Sequence, residues 1–226
     1  MTALDLLKQS EAWDPRYSLP LVPMHNNPWI YLAYCTRILR RDGGWWSSEN
    51  KQTFEASIQT HFERCSTDKL GYLKRWPEGG ICSHDEILGA AYLNSAFAGD
   101  ALKYLLEHDG VYNEEDQSER NNIYRFIFIQ PALKAFAGYR VGLFSQLLYA
   151  IHVLYDAFFT KDGETSGILK IWLTYPAMKK YPLSSAALAL WSYRWAKKGF
   201  TPKTIFSKYY LTEVPELGQL AREDFE

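Results

Sequence analysis

The chain of 226 residues has few of the features that mark common functional classes. Its three cysteines, Cys35, Cys65 and Cys82, are far apart and form no CxxC pair, so no disulfide framework is indicated and reduced thiols are expected. Its 25 basic residues nearly balance 26 acidic ones, which leaves no basic field to hold nucleic acid. Phosphate-loop, GxSxG and HExxH motifs are absent, so neither nucleotide-driven nor serine-hydrolase chemistry is supported.

Segments suited to export or membrane insertion are also scarce. The N-terminal segment contains Asp5 and Glu11 without a basic region ahead of a long apolar core. We therefore expect no signal peptide, and a cytoplasmic or virion-associated location. Residues 141–160 are apolar and long enough to span a bilayer, but they include His152 and Asp156, and an Asp near a membrane centre costs about 2.5–3.5 kcal/mol. We predict a buried central helix and no membrane partner.

What the chain does have is helical periodicity. Strand-like alternation is rare, and three segments end in a charged residue followed by Asp-Gly: RILRRDGG, YLLEHDG and AFFTKDG. Glycine after a last turn closes a helix. We predict an all-α fold of stacked helical hairpins, of which an incomplete α/α toroid is one form. Residues 1–27 would form an N-terminal helix and an extended proline-rich arm, and residues 28–226 one all-helical domain.

The segment GGICSHDEILGAA, residues 79–91, places three ionisable side chains directly before an apolar run. These side chains either serve a reaction or start a helix. Ser83 followed by Glu86 before an apolar run is a capping box, which explains the glutamate without catalysis. Asp85 also suits the first turn electrostatically. In the alternative interpretation, Asp85 acts as a general acid or base beside a half-exposed His84. Gly89 would leave space above the helix, and Tyr92 would continue the same face.

A second group of polar side chains follows one face of the apolar segment 141–160. Ser145, Tyr149, His152 and Asp156 are spaced at i, i+4, i+7 and i+11. Unpaired polar groups are costly to bury, so these residues either form a structural network or line a cavity. One turn apart, His152 and Asp156 are expected to hydrogen-bond, which would raise the pKa of the histidine.

Aromatic residues are the third feature, since the chain contains 8 Trp, 16 Tyr and 12 Phe. Four of them fall in predicted loops or next to helix ends: Trp45, Trp46, Trp76 and Tyr112. Aromatic rings in loops on one side of a domain are well placed to stack on a sugar ring or on a partner's side chain.

Helical hairpins, helix stops reading DGGWW and DGVY, and an acid after a glycine pair resemble the α/α-toroid (six-hairpin) glycoside hydrolases and polysaccharide lyases. The resemblance covers residues 28–200. It implies a sugar-binding groove at one end of the helices. Asp85 would be the catalytic acid, and the aromatic residues in the predicted loops would be stacking platforms.

A rival resemblance is to the HD-domain phosphohydrolases, all-helical enzymes whose metal ligands follow the order His, His-Asp, Asp. In this chain the matching set is His84, His108, Asp109 and Asp156. Imidazole and carboxylate suit a divalent transition metal that activates water. Asp109 is equally explained as part of a helix stop.

Three functional hypotheses follow. The first is a glycan-active enzyme or glycan-binding domain without a cofactor, in which Asp85, His152 and Asp156 are catalytic. In that hypothesis the residues that contact an oligosaccharide are His84, Tyr92, Tyr149, Trp45, Trp46, Trp76 and Tyr112. The second is a non-catalytic structural or interaction protein, such as a viral one, whose exposed aromatics bind a protein partner. The third is the metal-dependent phosphohydrolase.

Overall fold

The computed structural model describes residues 8–10, 12–21, 27–41, 48–112, 125–160 and 165–199. In this part of the chain eight α-helices carry the fold, and the only strands form two two-stranded sheets. The prediction of an all-α single domain is confirmed.

The elements follow each other in a simple order. The two strand pairs are β1 (Trp13–Asp14) with β2 (Leu19–Pro20), and β3 (Lys74–Trp76) with β4 (Gly79–Ile81), both antiparallel. The helices are α1 (Pro28–Arg41), α2 (Ser48–Cys65), α3 (His84–Leu93), α4 (Ser95–Glu107), α5 (Gln130–Phe136), α6 (Leu143–Phe159), α7 (Thr165–Met178) and α8 (Pro182–Lys197). A π-helical turn, Arg125–Ile129, leads directly into α5.

Several helix ends follow from local sequence. Helix α1 begins at Pro28, whose fixed φ suits a first helical position. Asn94 separates α3 from α4 and accepts hydrogen bonds from two backbone N–H groups of the following turn. Helix α4 ends at Glu107, and Asp109 and Gly110 follow with positive φ, as the Asp-Gly stop predicts. Helix α8 likewise begins at a proline, Pro182.

The strongest helix contacts join alternate helices. Helix α1 packs on α3, and α6 packs on α8, while α4 lies against both α3 and α5. A core of aromatic and aliphatic side chains fills the space between them, with Trp29 and Trp195 among its largest fully buried members. The indole N–H of Trp29 donates to the carbonyl of Lys74 at 3.1 Å, which ties β3 to this core.

The described part of the N-terminal arm is a hairpin that lies against the domain. Ala12, Leu19 and Leu21 are fully buried in the core. The buried Asp14 carboxylate accepts two side-chain hydrogen bonds from Arg16, at 2.7 and 3.0 Å, across the turn between β1 and β2. The arm is therefore held by apolar contacts with the helices as well as by its own turn.

Helix α6 is not the buried central helix that its composition suggested. One face is buried, but its opposite face is in water, and Phe144 and Phe159 are each 72% exposed. The prediction is wrong because, among the described residues, α6 packs against neighbours on one side only. Among the described residues, no helix has both the length and the apolar character needed to cross a membrane.

Candidate functional site

The start of α3 contains the predicted capping box and an ion pair. The carboxylate of Glu86 accepts from the backbone N–H of Ser83 at 3.1 Å and from Arg75 at 2.8 Å. Burial raises the pKa of Glu86 to about 7, although Arg75 and the Ser83 N–H favour the carboxylate. Asp85 points elsewhere and pairs with Lys170 of α7 at 2.6 Å. Helix initiation therefore accounts for Glu86, and Asp85 has a cationic partner.

His84 and Tyr112 are both buried, which corrects two predictions. His84 is 5% exposed rather than half-exposed, with Nε2 3.1 Å from the carbonyl oxygen of Gly110. Tyr112 is fully buried, and its hydroxyl donates to the carbonyl of Gly71 and accepts from the N–H of Leu73. A ring enclosed in this way cannot stack on a sugar, so Tyr112 is not a binding platform.

The other predicted loop aromatics have different surroundings. Trp45 and Trp46 lie outside the described residues. Trp76 is half-buried at the end of β3, where its ring centroid lies 6.5 Å from that of Tyr17.

Gly89 does not leave open space above α3. A Cβ atom at this position would lie 2.5 Å from the carbonyl oxygen of Trp29 and 2.6 Å from the Cα of Ile30. The backbone of α1 occupies the space, so this glycine permits close packing of two helices. The prediction of a groove floored by Gly89 is wrong for that reason.

The polar face of α6 meets side-chain partners inside the domain. The fully buried hydroxyl of Tyr149 lies 2.7 Å from that of Thr174. Asp156 is 4% exposed, and its Oδ2 accepts from the indole N–H groups of Trp191 at 2.8 Å and Trp195 at 3.1 Å. These contacts correspond to the structural-network interpretation of this face.

His152 is a neutral ring in apolar surroundings. It packs on Phe128, with ring centroids 4.6 Å apart, and burial lowers its pKa to about 4, with the charge of Lys170 acting in the same direction. The predicted rise in this pKa is wrong, because the carboxylate of Asp156 is directed to the two indoles. Lys170 pairs with Asp85 and also lowers the pKa of His152, so two of the three predicted catalytic residues have this lysine as a neighbour.

The four residues of the predicted metal set are not brought together. His84 contacts Gly110, the Nδ1 of His108 lies 2.8 Å from the carbonyl of Tyr104, and Asp156 binds two indoles. Asp109 has a φ of 51° and belongs to the stop of α4. Across the described ranges, no group of three or more His, Cys, Asp and Glu could hold a metal ion. The set fails because each member has a structural role of its own.

The most distinctive surface feature is a cleft of about 420 Å³ between α1, α3, α7 and α8. The residues that line it are Arg37, Arg40, Tyr92, Trp172, Tyr175, Pro176, Lys179, Trp191 and Ser192. Of these only Tyr92 was among the predicted site residues. We call this feature the aromatic cleft.

Each cation of the aromatic cleft lies beside an aromatic ring. The guanidinium carbon of Arg37 is 3.8 Å from the ring centroid of Trp172, and Arg37 is only 8% exposed. On the rims, the corresponding distance is 5.9 Å both for Arg40 over Tyr92 and for the ammonium of Lys179 over Tyr175. Cation–π contacts hold positive charge close to flat apolar surface. The spacing of positions 172, 175 and 179 along one helix face was the available sequence signal.

Acid is expected to destabilise the protein between pH 6.5 and pH 4 through two histidines, the buried His61 and the half-buried His152. Burial lowers the pKa of both His61 and His152 from 6.5 to about 4. In this window the unfolded chain binds two protons that the folded chain does not. Stability is therefore fully present above about pH 6.5 and falls with pH by about 1.4 kcal/mol per unit for each histidine.

Glu86 acts in the opposite direction, because its raised pKa gives a contribution that is full below pH 4.5 and lost as pH rises towards 7. The test therefore compares variants. In urea unfolding at pH 6.5 and 5.0, His61→Gln should show a mean pH slope smaller than wild type by about 1 kcal/mol per unit, because the unfolded histidine is only half protonated at pH 6.5. Equal slopes would mean that His61 is protonated alike in both states.

Comparison with protein families, with characterised proteins and with solved structures gave no match for this chain.

Proposed function

We propose that the protein binds an acidic saccharide, one that carries carboxylate, sulfate or phosphate groups, in the aromatic cleft. The observation that carries this proposal is the alternation of three cations with aromatic rings around one concave site. None of the described residues that line the cleft is acidic. A saccharide is also the ligand class that the resemblance to toroid enzymes implies, and the three cations favour a saccharide with negative charge.

Aromatic walls support a sugar as the ligand. A pyranose ring has faces of C–H groups, and such a face packs favourably on a flat aromatic side chain. Tyr92 and Tyr175 are half-buried, so each keeps part of its ring accessible while the remainder is anchored. The volume of about 420 Å³ falls within the range of about 300–1,000 Å³ found for small-molecule sites.

The cations support an acidic ligand. Arginine stays charged in proteins, and its guanidinium matches a carboxylate, sulfate or phosphate with two parallel hydrogen bonds. Arg37 holds this charge at a nearly buried position on the floor of the cleft. Arg40 pairs with Glu55 at 3.8 Å, but both side chains are partly exposed, and such pairs contribute about 0–1 kcal/mol. A bound anion can therefore compete with Glu55.

Binding is favoured over glycosidic hydrolysis by the positions of the acids. A two-carboxylate mechanism needs both groups beside the scissile bond. Asp156 is buried against two indoles and Asp85 is paired with Lys170, so neither lines the aromatic cleft. The proposed activity is recognition of the saccharide without its cleavage.

Calorimetric titration with matched ligands tests the proposal. An oligogalacturonide and a sulfated disaccharide should bind at least about 10-fold more tightly than a neutral oligosaccharide of equal length, since a hydrogen bond to a charged group is worth about 1.5–3 kcal/mol. Arg37→Met should weaken binding about 10- to 100-fold for the same reason. Lys179→Met, at an exposed rim position, should weaken binding less without affecting the fold.

The matched control is Lys103→Met, because Lys103 is an exposed cation on α4 outside the cleft. Its affinity for acidic ligands should equal that of wild type. The proposal fails if neutral and acidic saccharides bind equally, if Lys103→Met weakens binding as much as Arg37→Met, or if only mononucleotides bind.

A further inference from the structure

Helix α6 exposes a continuous apolar stripe that the aromatic cleft does not use. Phe144, Leu147, Ile151, Tyr155, Phe158 and Phe159 are between 48% and 72% exposed. Their spacing of three or four residues places them on one side of the helix, opposite the buried residues Tyr149, Val153 and Asp156. A solvent-facing helix surface would ordinarily be polar.

Helix α8 continues this apolar surface. The N–H of Leu183 donates to Gln146 at 3.4 Å, and Trp195 donates to Asp156, so the two helices run side by side in the same direction. Leu183, Leu190 and Tyr193 are 40%, 52% and 66% exposed. We call the six exposed residues of α6 and these three the apolar face.

The apolar face has no charge on its α6 part. The only acidic or basic residue of α6 is Asp156, which is buried, apart from His152, which is neutral above about pH 4. At one border, the guanidinium of Arg194 lies 5.9 Å from the ring centroid of Phe158. A partner that covers this surface therefore needs apolar side chains rather than opposite charges.

The area of the apolar face shows whether it is an ordinary surface patch or large enough for an interface. With roughly 150–250 Å² for each aromatic side chain and somewhat less for each aliphatic one, the nine exposed fractions correspond to about 900 Å². The largest apolar patch of a typical monomer is about 300–600 Å². A stable protein–protein interface buries about 800 Å² on each partner. The face is thus too large for an ordinary monomer and large enough for one side of a dimer.

We propose that the apolar face binds a second copy of this chain. Two parallel helices with apolar outer stripes constitute one half of a four-helix bundle, and a two-fold axis supplies the other half with the same chemistry. In such a contact α6 of one copy opposes α6 of the other, and no exposed charges of equal sign are brought together on these helices. This inference is independent of the proposed ligand, because the aromatic cleft includes Trp191 and Ser192 of α8 but no member of the apolar face.

Sedimentation of the full chain over a range of about 1–100 µM tests this proposal. The wild type should be a dimer in the upper part of the range. Ile151→Glu combined with Phe144→Glu should raise the dissociation constant at least about 100-fold, because two charges would be buried within the apolar contact, one near its middle and one at its end. Circular dichroism should be unchanged, since both side chains face solvent in a single copy.

Leu70→Glu combined with Leu106→Glu is the matched control. These leucines are 66% and 57% exposed and belong to other parts of the surface, so the dissociation constant should stay within about threefold of wild type. The proposal is overturned if the wild type remains monomeric at 100 µM. It is equally overturned if the doubly charged α6 variant still dimerises. A monomer that floats with phosphatidylglycerol vesicles would assign the face to a membrane surface, and a monomer with residues 201–226 cross-linked to α6 would assign it to the chain's own C-terminal segment.

Discussion

Replacement of Gly89 by alanine is expected to lower the free energy of unfolding by about 3 kcal/mol. The added methyl group would lie 2.5–2.6 Å from backbone atoms of Trp29 and Ile30, and these atoms belong to a helix that cannot yield locally. Helices α1 and α3 would have to separate, which would loosen the core around Trp29. Urea unfolding followed by circular dichroism measures the loss.

Gly99→Ala is the matched control, since both glycines lie within helices. At Gly99 the nearest atom to an added methyl is the hydroxyl of Tyr139, at 2.9 Å, and this side chain is 53% exposed and free to rotate away. Alanine also favours a helix over glycine by about 1 kcal/mol. Gly99→Ala should therefore be neutral or slightly stabilising. Equal losses at the two positions would show that helix α1 is not the cause.

Asp156→Ala is expected to destabilise the protein by about 3–4 kcal/mol. The substitution leaves the indole N–H groups of Trp191 and Trp195 buried without their acceptor, at about 1–3 kcal/mol each, and adds a small cavity. The melting temperature and the urea midpoint should both fall. Asp156→Asn keeps one acceptor oxygen and should lose about half as much.

A double-mutant cycle separates this network from a general packing effect. Trp191→Phe removes one of the two donors, so its combination with Asp156→Ala should cost less than the sum of the single changes by about 1 kcal/mol or more. Additive costs would contradict a direct bond between the carboxylate and the indole. The cycle also tests the structural role of Asp156 against the catalytic role that its position in the sequence suggested.

Local signals in the sequence predicted local structure well. Ser83 and Glu86 correctly placed the start of α3, and Asp109 with Gly110 correctly indicated the end of α4. Each of these depends on hydrogen bonds or dihedral angles within a few residues of the signal. The all-α fold class was also predicted correctly, because the spacing of apolar residues along the chain indicates helices.

Long-range contacts were the limit. Spacing placed His152 and Asp156 on one helix face but could not show that Trp191 and Trp195, on another helix, take the carboxylate. Gly89 illustrates the same limit. The sequence does not show whether a glycine faces open space or the backbone of another helix, and here it faces α1. The aromatic cleft collects residues from four helices, and the spacing of positions 172, 175 and 179 indicates only one part of it. The composition of α6 showed that it is apolar, but not that one of its sides is exposed.

One buried hydroxyl has a consequence for how the domain opens. The phenol of Tyr112 joins the end of the α4 segment to Gly71 and Leu73, 41 and 39 positions earlier in the chain. The Tyr112 hydroxyl therefore closes residues 71–112, which contain β3, β4, α3 and α4, into a loop. We expect the backbone amides of this loop to exchange with deuterium as one cooperative unit when the two hydrogen bonds of the Tyr112 hydroxyl break.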